Sequence, residues 1–357
     1  MKIADYKRPS DWELFFKHRT NYIPLKLLEQ KYNISIDFTT VRIPSEFDDI
    51  DGSKDLIVLN LKEQFALTEA WDYFIKKIDR PLEDIVILSD SIYPGSLFDM
   101  HNPNFCFAGT WFESPVNMCT QTIGPKKYLF DFLVGYRETE LDYLYDSFEQ
   151  RGLLNKHNLY NYWKGNNPDF ADMDHPFAEA WRNLPKFEKG FGVDEENAID
   201  MDVWASEFGT DSVCLHNAWT SRIVPIEAYQ QSLFTVNRET KYFWDDHLFY
   251  QPTEKSAKPM KCKRLFFTLG AQYENRNYTK LGFKVYDHDK CDWDNLKTWQ
   301  DRTNAFADYI SNLDQDYVLE LYDKEKENIE HNYKIANQDW GQMCLNFVMN
   351  RLEIKYS

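Results

Sequence analysis

Along the first third of the chain, apolar residues come in short blocks separated by polar stretches. Ile34–Thr40 (ISIDFTT), Asp55–Leu59 (DLIVL) and Ile85–Leu88 (IVIL) are rich in β-branched residues and predict strands. Between the last two, Phe65, Leu67, Trp71, Phe74 and Ile75 recur at helical spacing within Leu61–Lys77. This β-α-β order implies a largely parallel sheet. The basic, turn-rich segment Gln121–Lys127 marks a boundary, and Tyr128–Val134 (YLFDFLV) after it has the composition of a buried strand. Gly135-Tyr136-Arg137 then turns into a predicted helix over Glu138–Arg151, with Leu141, Leu144, Tyr145 and Phe148 on one face. A strand, a glycine turn and a helix start can together receive an anion, because first-turn N–H groups lack intrahelical partners.

Residues 163–207 are rich in Asn, Asp, Pro and Gly and read as loops with short helices. A second α/β run follows. Strands are predicted at Ser212–Leu215, Leu233–Val236, Arg264–Leu269 and Leu281–Asp287, and helices at Pro225–Gln231 and Lys255–Cys262. From Trp299 to Met349 the pattern is mostly helical, and the charged stretch Lys324–Glu330 reads as a solvated face. The expected fold class is therefore α/β, with two Rossmann-like domains at 1–124 and 125–335 facing a cleft and a C-terminal helical segment at 336–357. Such clefts commonly receive nucleotide-type ligands.

Composition narrows the choice. A length of 357 residues suits two domains, and 43% hydrophobic with 17% aromatic residues is enough to build sizeable cores. Only 13 Gly and 14 Pro, with no internal repeat, exclude collagen-like, solenoid and propeller folds. The net charge of −17 argues against a surface that binds phosphate everywhere. No apolar run approaches the ~20 residues of a membrane span, and Met1–Pro9 has no apolar signal core, so a soluble, cytoplasmic protein is expected. Cys106, Cys119, Cys214, Cys262, Cys291 and Cys344 lie far apart without zinc-ligand spacing, and read as free thiols.

The densest chemistry lies between Val224 and Asp287: VPIEAY (224–229), FTVNRET (234–240), PTEKSAKP (252–259) and KLGFK (280–284). Taken in order, these segments resemble the donor half of GT-B-type nucleotide-sugar glycosyltransferases. The likeness is nearest to bacteriophage and other viral members, and more distant to the α-1,3-fucosyltransferase and exostosin-like groups. KYLF (127–130) with Gly135, and RGLL (151–154), extend it over about residues 126–290. It departs from the family pattern at Pro252 and at Met260–Lys263, which leaves the sugar and the base open. Thr-Glu-Lys alone is an ordinary capped helix start; the ordered set carries the reading.

The resemblance implies a nucleotide-diphosphate sugar as donor substrate, with UDP favoured and no resident cofactor. A departing diphosphate needs cations or a helix start aimed at it. Thr253 can cap the helix, while Lys255 and Lys258 share a face. Glu254 and Glu239 suit ribose or sugar hydroxyls. Gly135, Arg137, Arg222, Arg238 and Thr240 complete the expected donor set. For a general base on the acceptor side, Asp90 at the end of a strand is the first choice and Glu113 the second. His216 and His247 read as structural. Asp-x-Asp pairs, which chelate divalent ions in other glycosyltransferases, occur at Asp49, Asp172, Asp200, Asp287, Asp292 and Asp314. With 34 Asp among 357 residues several such pairs arise by chance, and a metal is not favoured. The viral likeness points to hydroxymethylcytosine in duplex phage DNA as acceptor. Surface or lipid-linked glycans are the alternative, and a non-catalytic nucleotide-sugar or glycan-binding protein is the reading from another class.

Overall fold

The computed structural model describes residues 23–41, 47, 49–61, 73, 75–93, 95–109, 112, 122–133, 139–160, 226–239 and 250–356. In chain order the elements are α1 (Ile23–Tyr32), β1 (Ile36–Val41), β2 (Leu56–Leu61), β3 (Ile85–Ser89), β4 (Phe105–Phe107), β5 (Tyr128–Phe132), α2 (Thr139–Gln150) and β6 (Leu159–Tyr160). They continue with α3 (Ile226–Gln231), β7 (Ser232–Arg238), α4 (Glu254–Lys261), β8 (Phe266–Leu269), α5 (Glu274–Lys280), α6 (Trp299–Ser311), α7 (Gln315–Lys324), α8 (Lys326–Ala336) and α9 (Trp340–Tyr356). The protein is thus α/β, with two four-stranded sheets ordered β1-β2-β3-β4 and β6-β5-β7-β8. Every strand pairing within them is parallel. At three and two residues, β4 and β6 are too short to show a sequence pattern.

Two compact units emerge: residues 1–113 with 249–251 and 339–357, and residues 114–248 with 252–338. In the first, β2 and β3 are buried along their whole length, which explains their unbroken apolar runs. Leu56, Val58, Val86 and Leu88 form one buried cluster with Leu28 of α1 and with Cys344, Val348 and Leu352 of α9. Their spacing of four places the α9 residues in one stripe. Trp340, opening α9, packs 5.6 Å from Phe107 and 5.4 Å from Phe112. Gly109 has φ +61 and lies against that indole, where a Cβ would overlap the ring. At the other end of α9, Lys355 pairs with the buried Asp84.

The second unit has an aromatic core. Phe130, Phe148 and Phe306 contact in series, and Phe234 joins Phe130 to Phe267. Inside it, Arg264 is fully buried against Asp131 at 2.5 Å and also donates to Thr235 and to the carbonyls of Tyr229 and Ser232. Burial pushes the Asp131 carboxyl up, opposed by Arg264.

One expected strand is not there. Leu281–Asp287 is irregular, because Leu281 and Phe283 donate back to Tyr278 at the end of α5, and Gly282, at φ +89, donates to Thr279. Asn332 of α8 then serves Lys284 as a strand neighbour would, accepting from its N–H and donating to its carbonyl, both at 2.7 Å. Most of the Leu61–Lys77 helix, the glycine turn 135–137, residues 163–207 and the Ser212–Leu215 strand lie outside the described residues.

Candidate functional site

The site is built where β7 and β8 end, at the carboxyl edge of a parallel sheet, the edge at which open α/β sheets bind ligands. Arg238 closes β7 in register with Leu269 of β8, and the Glu239 N–H donates to the Leu269 carbonyl at 2.9 Å. Arg238 and Glu239 are both buried. The two Glu239 oxygens turn to the start of α4: one accepts from the Thr253 hydroxyl at 2.6 Å, the other from the Ser256 hydroxyl at 2.5 Å and the Thr253 N–H at 3.3 Å.

Thr253 caps α4, its extended backbone letting the side-chain oxygen accept from the Lys255 N–H. That oxygen also receives the Lys255 ammonium at 3.3 Å, and the same ammonium lies 3.3 Å from Glu254. Pro259, inside the helix, has no N–H for the Lys255 carbonyl four residues before it. Asn237 of β7 fills the gap, donating to that carbonyl at 2.8 Å, while its own oxygen accepts from Thr268 of β8 at 2.5 Å. The first turn of α4 is therefore fastened by side chains to the end of β7, and Asn237 is in turn tied to β8.

The charges there are unevenly poised. Burial pushes the Glu239 carboxyl up, opposed by Lys255 and by the two hydroxyls. Burial acts on Glu254 too, but Lys255 and Lys258 outweigh it and hold that carboxyl below its ordinary value. Half-buried Lys258 is pushed down to about 8, by burial against the attraction of Glu254. Lys258 therefore sits near its titration point at neutral to mildly alkaline pH. Two lysines and the positive end of the helix dipole offer an anion charge, while the Lys255, Ser256 and Ala257 N–H groups are already donated to Thr253.

The structure gathers Glu239, Thr253, Glu254, Lys255 and Lys258 in one place, beside Arg238. Asp90 belongs to the first unit, buried directly after β3 in a turn where Ser89 bonds both the N–H and the carbonyl of Ser91. Glu113, Gly135, Arg137, Arg222, Thr240, His216 and His247 lie outside the described residues, as do Cys119, Cys214 and the Asp172 and Asp200 pairs. The other acidic pairs have local employment. Asp51 accepts from Ser53, Asp314 caps α7, and Asp294 accepts from the Asn275 N–H at 2.9 Å. Asp287 binds Tyr309, Tyr317 and Lys324, whose hydrogen bonds overcome burial and keep it low. Among the described residues no three His, Cys, Asp or Glu side chains are grouped to hold a metal, and no helix is long and apolar enough to cross a membrane.

Sequence reasoning missed Asn237 and Ser256. A proline inside a predicted helix does signal that the carbonyl four residues earlier needs another donor, though not which residue supplies it. Comparison with known proteins adds nothing to this geometry: no family model, curated protein or solved structure matches the chain.

Proposed function

We propose that the protein is a glycosyltransferase that takes its sugar from a nucleotide-diphosphate donor, UDP favoured, seated at the start of α4. The observation that carries this reading is the capped first turn of α4, with Lys255 on it and Lys258 on the next, fastened by Glu239 and Asn237 at the carboxyl edge of a parallel sheet. In the reaction the bond between the sugar's anomeric carbon and the diphosphate oxygen breaks and a bond to the acceptor oxygen forms. Negative charge grows on the leaving diphosphate, where Lys255 and Lys258 stabilise it. Lys255 exchanges its pairing with Glu254 for phosphate oxygens, freeing that carboxylate for a donor hydroxyl. Glu239, whose oxygens are occupied by α4, positions the turn. In an inverting transfer, the acceptor's proton must pass to a general base.

A thermal-shift titration with UDP, GDP, ADP and CMP tests the donor half, since a ligand of the native state raises the melting temperature. One diphosphate should stabilise the wild type and not Lys255→Ala; no shift with any of the four rejects the reading. For the acceptor we favour hydroxymethylcytosine in phage DNA, which predicts binding to duplex DNA that weakens steeply with salt. The net charge of −17 favours the second reading, a glycan acceptor. Transfer to oligosaccharide with no DNA binding at low salt would select it.

A further inference from the structure

The connection from β8 to α5 leaves the same sheet edge that holds Glu239 and the start of α4. Leu269 ends β8 and its carbonyl receives the Glu239 N–H, and directly after it the chain turns through Gly270–Tyr273 into α5. In that turn Tyr273 has φ 67° and ψ 23°, the left-handed conformation. A bulky residue adopts it at a cost, and such outliers collect at ligand sites, where the surrounding structure holds them. Here the holding is visible. The Tyr273 N–H donates to the Asp294 carbonyl at 2.8 Å, the Asn275 N–H to the Asp294 carboxylate at 2.9 Å, and the Gln272 amide to the Asn295 carbonyl at 3.0 Å.

The strained turn carries an arginine on its ring. The Arg276 guanidinium lies over Tyr273, 4.3 Å from the ring centre. Tyr273 is half-buried and Arg276 exposed, and among the described residues the Arg276 guanidinium forms no hydrogen bond or ion pair. Asp294 attracts it, but that carboxylate is turned to the backbone N–H groups of Asn275 and Arg276. A guanidinium stacked on an aromatic face has its orientation fixed while its in-plane N–H fork stays open to a second partner. That fork matches two oxygens of one phosphate, a recognition that the point charges of Lys255 and Lys258 do not supply.

We propose that Arg276 binds a phosphate group of the nucleotide-diphosphate donor, and that Tyr273, in its left-handed turn, is the positioning residue that holds the guanidinium ready. The inference rests on the reading of this sheet edge as a donor site and adds to it a phosphate contact from a second loop. No covalent bond changes at the pair; the guanidinium exchanges water for phosphate oxygens.

Titration with UDP and with uridine, which lacks the phosphates, tests the proposal, with weak binding followed by NMR. Arg276→Met, at an exposed position, should weaken UDP ~10-fold or more and leave uridine unchanged, and Arg276→Lys should restore only part of the loss. Tyr273→Asn removes the ring but accepts left-handed backbone, so it should keep the wild-type melting temperature and still weaken UDP several-fold. Tyr273→Phe, which keeps the ring, should bind UDP as the wild type does. If Arg276→Met binds UDP as tightly as the wild type, or loses uridine as much as UDP, the phosphate role of Arg276 is overturned while the donor reading stands. Unchanged UDP affinity in Tyr273→Asn overturns the positioning role. If the wild type binds none of UDP, GDP and ADP, the donor reading itself fails, and the role of Arg276 with it.

Discussion

Glu239, at the end of β7, ties the start of α4 down through its carboxylate, and its loss should be costly for that reason. Glu239→Ala leaves the buried Thr253 and Ser256 hydroxyls without their acceptor. A buried polar group deprived of its partner costs about 1–3 kcal/mol, so urea denaturation should show a loss of about 2 kcal/mol or more. An unchanged midpoint would mean that α4 is held by other means. Lys258 should behave in the opposite way. Its folded value of about 8 lies below the ordinary 10.5, so between those values the unfolded chain binds more protons. Stability then rises with pH across that window, and at pH 7 the charged lysine costs stability. Lys258→Met should raise the melting temperature of the unliganded protein at pH 7, with the gain shrinking toward pH 10, while weakening diphosphate binding. A variant that melts lower at pH 7 would show that attraction to Glu254 outweighs burial.

α4 carries an internal proline whose cost is offset by a neighbouring strand, which makes a double-mutant cycle informative. Asn237→Ala leaves the Lys255 carbonyl without a donor and should cost about 1–3 kcal/mol. With Pro259→Ala also present, the backbone N–H restored at 259 can supply that carbonyl, so Asn237→Ala should cost clearly less. Equal costs in both backgrounds would refute the compensation. The same helix shows what could be read from sequence and what could not. Its start, cap and lysines were visible because cap and helix signals are local, and the strands β2, β3, β7 and β8 because buried parallel strands are continuously apolar. Asn237 belongs to the site only through pairing across strands separated by about thirty residues, which no local pattern records. The Leu281–Asp287 segment misled because its composition is that of a strand, while its hydrogen bonds go to Asn332 of α8 and to the end of α5.

The chain does not visit its two units in sequence order: residues 249–251 and α9 belong with the first sheet, whereas everything from 252 to 338 belongs with the second. Ile92 and Tyr250 accordingly exchange two backbone hydrogen bonds, at 2.8 and 2.9 Å, within the first unit. Each unit has its own buried core, so calorimetry should resolve two transitions, and perturbations should sort between them. Trp340→Ala removes an indole packed on Phe107, Phe112 and Gly109 in the first unit. Large aromatic-to-Ala changes in a core cost about 3–5 kcal/mol. For a unit of this size that should lower one transition by ~10 °C and leave the other in place. A nucleoside diphosphate bound at α4 should raise the transition that Trp340→Ala leaves alone, by mass action on the native second unit. If both perturbations move one common transition, the units unfold as a single cooperative body and α9 stabilises the nucleotide site as well as the first sheet.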